Sequence, residues 1–264
     1  MATVVFDKGI KRVLNGGIVL DGSTHTIKAV LIDENDVTPI DTMEFYSELS
    51  AGAVGTPVDI SSNLSLDATS GEIRCAPFET GIFSGDPTES VLFFSDTGTP
   101  STSPLIAKVD AAIVPNGAAN WTVTLTGNKL LGATATNFFH RTFGKIASGA
   151  TALDGGATLK AQLLTAAPAY TEEFMSEVSN TTGAAVTISS FSILDAKAAI
   201  LPGAATVFSS ITATVTHAVL FLDTGNSATD LPIGTVVVSP AAVLTASDFT
   251  LSYPGTGALE YAAA

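Results

Sequence analysis

Long charged side chains are scarce in this chain. Asp, Glu, Lys and Arg make up 14% of its 264 residues, against about 25% in a typical soluble domain. The shortage is mainly basic, with 11 Lys and Arg against 25 Asp and Glu, for a net charge of −14. A chain of that sign with no Lys/Arg cluster cannot neutralise phosphates, so direct nucleic-acid binding is not expected. The same sign argues against docking on anionic membranes. One cysteine, Cys75, rules out an intrachain disulfide and a thiolate metal cluster, and leaves that residue as a small buried hydrophobe. No continuous apolar run reaches the length of a membrane-spanning helix. The start, Met1-Ala2-Thr3-Val4-Val5-Phe6-Asp7-Lys8, has neither the basic opening nor the apolar core of a signal peptide, so synthesis and folding in a cytoplasm are expected.

Hydrophobic residues, by contrast, reach 46%, much of it Ala interleaved with Thr, Ser, Val and Gly, and the mean hydropathy is +0.41. Such a surface is small and neutral. Part of it is expected to be buried against other chains.

The chain is also written twice. Leu20-Asp21-Gly22 with Thr26-Ile27-Lys28-Ala29 returns as Leu153-Asp154-Gly155 with Thr158-Leu159-Lys160-Ala161. Phe45-x-Ser47-Glu48-x-Ser50 returns as Phe174-x-Ser176-Glu177-x-Ser179, and Phe94-x-Asp96-Thr97-Gly98 as Phe221-x-Asp223-Thr224-Gly225. The spacing is 133 at Asp21/Asp154, 132 at Lys28/Lys160, 129 at Glu48/Glu177 and 127 at Asp96/Asp223. It shrinks in one direction, as short deletions in the loops of the second copy would produce. The repeat is far longer than a solenoid unit. Two homologous domains follow, 1–130 and 131–264, joined near Thr126 to Asn137, where Gly127-Asn128 and Gly132-Ala133 break the pattern.

Each copy is expected to open with a short helix. The first runs through Lys8, Ile10, Val13 and Leu14, capped by Asp7 and stopped by Gly16-Gly17. The second lies around Asn137-Phe138-Phe139-His140-Arg141-Thr142-Phe143, stopped by Gly144 or Gly149. The remainder reads as strand: Thr26 to Ile32, Val58 to Leu64, Glu89 to Phe94, Leu105 to Val109 and Trp121 to Leu125 in copy one. In copy two the strands fall near Ala185 to Ile193, His217 to Leu222, Ile233 to Val238 and Phe249 to Tyr253. Phe45 to Glu48 and Phe174 to Glu177 suit one helical turn each. Short strands with turn residues between them predict an all-β chain of two antiparallel β-sandwich domains.

The paired Asp-Thr-Gly motifs raise aspartic-protease chemistry, in which two carboxylates from duplicated halves share one proton. Each motif lies late in its copy, 75 and 69 residues after Asp21 and Asp154, whereas in the proteases it comes early. Asp-Thr-Gly also suits a turn, since Asp bonds the backbone ahead and Gly supplies φ > 0. Asp96 and Asp223 are therefore expected in turns near the surface. His25, His140 and His217 pair with no other ligand at metal spacing. Asp33-Glu34-Asn35-Asp36 could offer calcium oxygens but lacks the ligand spacing of an EF-hand loop, and Thr165-Ala166-Ala167-Pro168 replaces it in copy two. Ser148-Gly149-Ala150-Thr151 and Asp154-Gly155-Gly156 lack the Gly-Lys-Ser/Thr of a phosphate loop. Trp121 aligns with Phe249 as a core anchor. No catalytic, cofactor-binding or metal-ligating residue is assigned, and no cofactor is expected.

Asp7-Lys8-Gly9, Leu14-x-Gly16-Gly17-Ile18-x-Leu20-Asp21 and Thr26-Ile27-Lys28-Ala29-Val30-Leu31 together resemble a family of small tailed-bacteriophage virion proteins. So does Asp96-Thr97-Gly98-Thr99 running into Ser103-Pro104-Leu105-Ile106-Ala107, the most recognisable stretch of that family. The resemblance covers most of 5–125 and, more faintly, 140–255. Copy two departs from it between Asn226 and Ile233, where the Ser-Pro-Leu-Ile order is lost. In that family Asp-Thr-Gly is a strand-ending turn. The resemblance implies a non-catalytic virion structural protein, first a capsid decoration (cement) protein and second a tail or tail-fibre component that binds a glycan. Its expected partners are the major capsid protein or other virion proteins and copies of itself, as a trimer on three-fold positions of a shell. Its expected place is the outer capsid surface.

Overall fold

Ile27-Lys28-Ala29-Val30-Leu31-Ile32 has side chains too apolar to leave either face in water, and it lies in the interior of the larger sheet with all but Lys28 buried. The computed structural model describes residues 3–81, 87–113, 120–125, 129–131, 139–153, 156–194 and 199–253. In the first half, β1 (Thr3–Val5) leads into α1 (Asp7–Leu14). Then follow β2 (Ile27–Ile32), β3 (Ala53–Asp59), β4 (Leu64–Asp67), β5 (Glu72–Cys75), β6 (Phe78–Glu79), β7 (Thr88–Ser95), β8 (Leu105–Ile113), β9 (Thr122–Val123) and β10 (Lys129–Leu131). The second half runs through α2 (His140–Ala147), β11 (Leu159–Leu164), β12 (Thr181–Thr187), β13 (Phe191–Ile193), β14 (Ile200–Pro202), β15 (Thr206–Leu222) and β16 (Leu231–Leu251). The chain is predominantly β and its sheets are antiparallel. No helix among the described residues is long and apolar enough to cross a membrane.

The larger sheet has the order β1-β8-β7-β2-β3, and a second has β12-β11-β15-β16. Without β1, the two orders correspond strand for strand. Their registers correspond too. Lys28 faces Phe94 on one side and Asp59 on the other, while Lys160 faces Phe221 and Thr187. One irregularity falls between Ala29 and Leu31 in β2, and another between Ala161 and Leu163 in β11. A bulge at the same register position in both sheets sets the same local twist.

The helices correspond as well. Each has eight residues, buries an i, i+3, i+4 stripe (Ile10, Val13 and Leu14; Phe143, Ile146 and Ala147) and ends at a glycine with positive φ, Gly16 or Gly149. The amide after that glycine donates back to Arg12 O in one helix and Lys145 O in the other. Asp7 is the first helical residue, not the cap. Phe6 and Phe139 occupy the cap positions with no side-chain hydrogen bond. Their rings are wanted elsewhere, fully buried in two satellite clusters. One holds Phe6, Ile32, Leu92 and Phe94, and the other holds Phe139, Leu164, Val219 and Phe221 at corresponding places.

The other face of each sheet, with both helices, contributes to one continuous apolar cluster that runs through both halves. The halves meet there by reciprocal contacts. Leu20 N donates to Ala147 O at 2.7 Å, and Leu153 N donates to Leu14 O at 2.8 Å. A Cβ on Gly16 would approach the Ala152 methyl at 3.0 Å, and one on Gly149 would approach Val19 at 2.6 Å. Residue i touching j′ while i′ touches j is the pattern of a two-fold contact.

Several sequence expectations need correction. Lys129–Leu131, inside the stretch expected to link the domains, is a strand paired with β5; Gly127-Asn128, Gly132-Ala133 and Asn137-Phe138 lie outside the described residues, as do Asp154-Gly155. The strand expected over Val58 to Leu64 is instead Ala53–Asp59, followed by a 3-10 turn at Ser61–Asn63. Gly55 and Pro57 fall in the irregular stretch between Val54 and Val58 of this edge strand, where a proline is tolerated. His217 to Leu222 is the last third of a 17-residue strand, and Ile233 to Val238 joins Phe249 in one 21-residue strand. These two pair along their whole length, with irregularities near Phe208/Ile211, Ile211/Ala213 and Val215/His217 that hid the period from the sequence.

Candidate functional site

The Asp-Thr-Gly segments close the β7–β8 and β15–β16 hairpins. Asp96 N donates to Thr26 O, and one Asp96 carboxylate oxygen accepts from Gly98 N at 3.0 Å. The other oxygen meets the Lys28 ammonium at 2.6 Å. Asp223 repeats the set, with Thr158 O, Gly225 N at 3.2 Å and Lys160 at 2.8 Å. Gly98 and Gly225 have φ of +82° and +84° and open space around the position a Cβ would take. Thr97 N donates to Ser103 Oγ in the first turn, and Thr224 N to Asp230 Oδ1 in the second. The lysine partners hold both carboxyls below the usual range. A proton-sharing dyad needs one carboxyl raised by its neighbour's charge. Each aspartate here is instead bound to its own lysine.

A second repeated cluster escaped the sequence reading. Glu44 accepts from Lys8 at 2.7 Å and from Arg12 at 2.6 Å, and the Arg12 guanidinium lies 5.3 Å over the Phe45 ring. Glu173 takes Arg141 at 3.2 Å and Lys145 at 2.7 Å, with the Lys145 ammonium 4.4 Å over Phe174. In each half a basic pair four residues apart on the helix clamps a Glu-Phe step. That step leads into the 3-10 turn Tyr46–Glu48 or Met175–Glu177. The turn's own glutamate, Glu48 or Glu177, accepts from the backbone amides of that step. The signal was available, since Lys8/Arg12 and Arg141/Lys145 stand 133 residues apart. A shallow depression of about 300 Å³ lies beside the first clamp, lined by Lys8, Lys11, Arg12, Asn15 and Glu44. Because Glu44 already engages two of its cations, it is not an obvious anion cradle.

The other singled-out residues are scattered. His25 Nδ1 accepts from Val19 N in the loop before β2. His140 opens α2. His217 lies within β15 beside Thr216, and burial lowers its pKa. Asp33 accepts from Asn35 within its own turn, while Glu34 reaches Lys108 at 2.7 Å. Lys108 is nearly buried; burial alone would lower its pKa, but Asp110, also at 2.7 Å, and Glu34 raise it. At the corresponding place in the second half, Thr235 meets the Tyr170 hydroxyl. No three metal-binding side chains converge among the described residues. Cys75 is buried, and burial pushes its thiol up to about 11. Trp121, just before β9, accepts from Thr80 N, and Phe249 pairs with Phe208; both side chains are half-buried against the central cluster and not fully in the core.

The halves differ outside these shared contacts. Thr122 faces Glu79, while Thr250 faces Val207; Ser90 faces Asp110, while His217 faces Val237; Lys28 faces Asp59, while Lys160 faces Thr187. Three carboxylates of the first half thus stand where the second half has valine or threonine. No protein-family model, curated protein or solved structure matches the chain.

Proposed function

We propose that this chain is a non-catalytic structural protein of a tailed-phage virion that decorates and cements the outer face of the mature capsid. In this reading it is a tandem duplication of one antiparallel β-sandwich unit. The observation that carries the reading is where the repeated residues go. Lys28, Asp96, Glu48 and Glu44, with their counterparts Lys160, Asp223, Glu177 and Glu173, make turns, caps and clamps. A duplicated enzyme would be expected to preserve a reactive constellation. Here duplication preserved the framework. The phage assignment itself rests on the resemblance of the Asp7 to Leu31 and Asp96 to Ala107 motifs. The net charge of −14 suits the outside of a shell, away from packaged DNA.

A cement needs only to bind the mature shell in preference to its dissociated parts. That preference stabilises the particle by RT ln(1 + [L]/Kd), about 2.7 kcal/mol when free protein stands at 100 times Kd. Two linked units that reach neighbouring sites on the major capsid protein make the second contact intramolecular and slow dissociation. Particles lacking this chain should assemble yet release their DNA at a lower temperature than complete particles, as followed by dye access on heating. Particles of unchanged heat resistance that lack a tail or fail to adsorb would transfer the protein to the tail or tail fibre.

A further inference from the structure

The β15–β16 hairpin is far longer than the sheet it belongs to. β11 pairs only with His217 to Leu222, so among the described residues 206–216 of β15 have β16 as their single ladder partner. One face of this ribbon packs on the central cluster through Phe208, Ile211, Val215, Leu244 and Phe249. The opposite face is covered near the Asp-Thr-Gly turn by Phe139, Met175 and Tyr170 packing with Val219 and Phe221. Beyond that cover it is bare among the described residues. Val207, Val237 and Val243 stand on it at 50%, 62% and 79% exposure, each between neighbours turned to the core. They are three of the four large apolar side chains most exposed among the described residues, the fourth being Ile40.

We infer that this bare face is where copies of the chain meet one another, like face against like. Two observations select that occupant. The first is charge. Across 17 and 21 residues β15 and β16 carry one carboxylate, Asp248, and no lysine or arginine, in a chain of net charge −14. A second acidic copy docking elsewhere brings many carboxylates together, whereas along this ribbon it brings only Asp248, which is tied to the Ser210 amide. The second is the internal control of the other half. At the ladder positions of Val207 and Val237 the first half has Glu79 and Asp110. The fold therefore tolerates an acid at these places, and their apolar character in the second half belongs to the surface, not to the architecture. The bare stretch of about 11 residue pairs is about 37 Å long and 10 Å wide. That is small beside the roughly 800 Å² per partner of a standard interface, so the association is reversible and concentration-dependent.

The inference gives a site to the self-association expected from the sequence, does not rest on the capsid reading, and would stand on a head or a tail protein alike. Its test is sedimentation velocity on the full chain across a concentration series, comparing wild type with Val207→Glu/Val237→Asp. Ile40→Asp serves as the control that adds charge elsewhere. Wild type should associate, the paired variant should need at least about tenfold higher concentration to do so, and the control should follow wild type. Hydrogen exchange on wild type supplies a readout that needs no variant: amides in 206–217 and 237–251 should gain protection as concentration rises. Wild type that stays monomeric throughout overturns self-association itself. Association unaltered in the paired variant, or protection gained elsewhere and not in the ribbon, overturns this face as its site.

Discussion

At Gly71 a single methyl group has nowhere to go. Its Cβ would lie 1.8 Å from the His140 carbonyl oxygen, and its φ of +68° already disfavours any side chain. This glycine lets the β4–β5 turn touch the first turn of α2, so it holds the halves together as well as closing a hairpin. Gly98 has a similar φ but open space around it. Gly71→Ala should therefore cost at least about 3 kcal/mol, and Gly98→Ala about 1 kcal/mol, read from denaturant unfolding of the two variants. The carboxylates make a second residue-level prediction. Asp96, Asp223, Glu44 and Glu173 are all held below the usual range, chiefly by hydrogen bonds from their lysine partners. A folded value below the unfolded one means the stabilisation is complete above about pH 5 and drains away below about pH 4, as protonation breaks the pairs. Asp96→Ala should cost about 1–2 kcal/mol at neutral pH, with most of that difference gone at acid pH. Peptidase assays at acid pH should show nothing. Proteolysis abolished by Asp96→Asn would reinstate the enzyme.

Elements built on the repeated motifs were legible in the sequence, because each motif names its own turn. Phe-x-Ser-Glu folds as a 3-10 turn whose glutamate caps the backbone before it, at Glu48 and again at Glu177. The apolar runs of β2 and β7 lie where their β-branched and aromatic residues put them, since buried on both faces they need no alternation to be read; β11, Leu-Lys-Ala-Gln-Leu-Leu, has neither kind of residue and was not expected as a strand. The helix end at Gly16 was equally plain, whereas the second helix offers two stops, Gly144 and Gly149, and Gly144 lies inside α2. Legibility failed where backbone irregularity and composition worked together. In Ser209-Ser210-Ile211-Thr212-Ala213-Thr214 the core-facing residues change phase, and Ser210 and Ala246 take positive φ. Asp248 satisfies the Ser210 amide and Thr212 satisfies that of Ala246, so the irregular backbone is paired without regular alternation. A short-window reading sees a break there. The basic pairs of the clamps were missed for another reason: their acidic partners sit more than 25 residues away, and no local pattern joins them.

The whole molecule behaves as two main sheets and three smaller ones around one interior. A cluster that includes Ile10 and Leu31 from one half and Phe143 and Leu163 from the other leaves little for either to bury alone. Calorimetry should accordingly show a single unfolding transition, with the calorimetric and van't Hoff enthalpies in agreement. Two resolved transitions would mean that the domains 1–130 and 131–264 stand independently. The reciprocal contacts of Leu20 with Ala147 and Leu153 with Leu14 carry one further consequence. Identical subunits across a dyad must wear the same exterior on both sides, because any change in one appears in the other. Halves encoded separately in one chain are released from that obligation. Glu79 can stay ionic while Val207 turns greasy, and the junction between them feels neither change. The molecule thus keeps the economy of a symmetric centre while its rim acquires a front and a back, which a true homodimer could not encode.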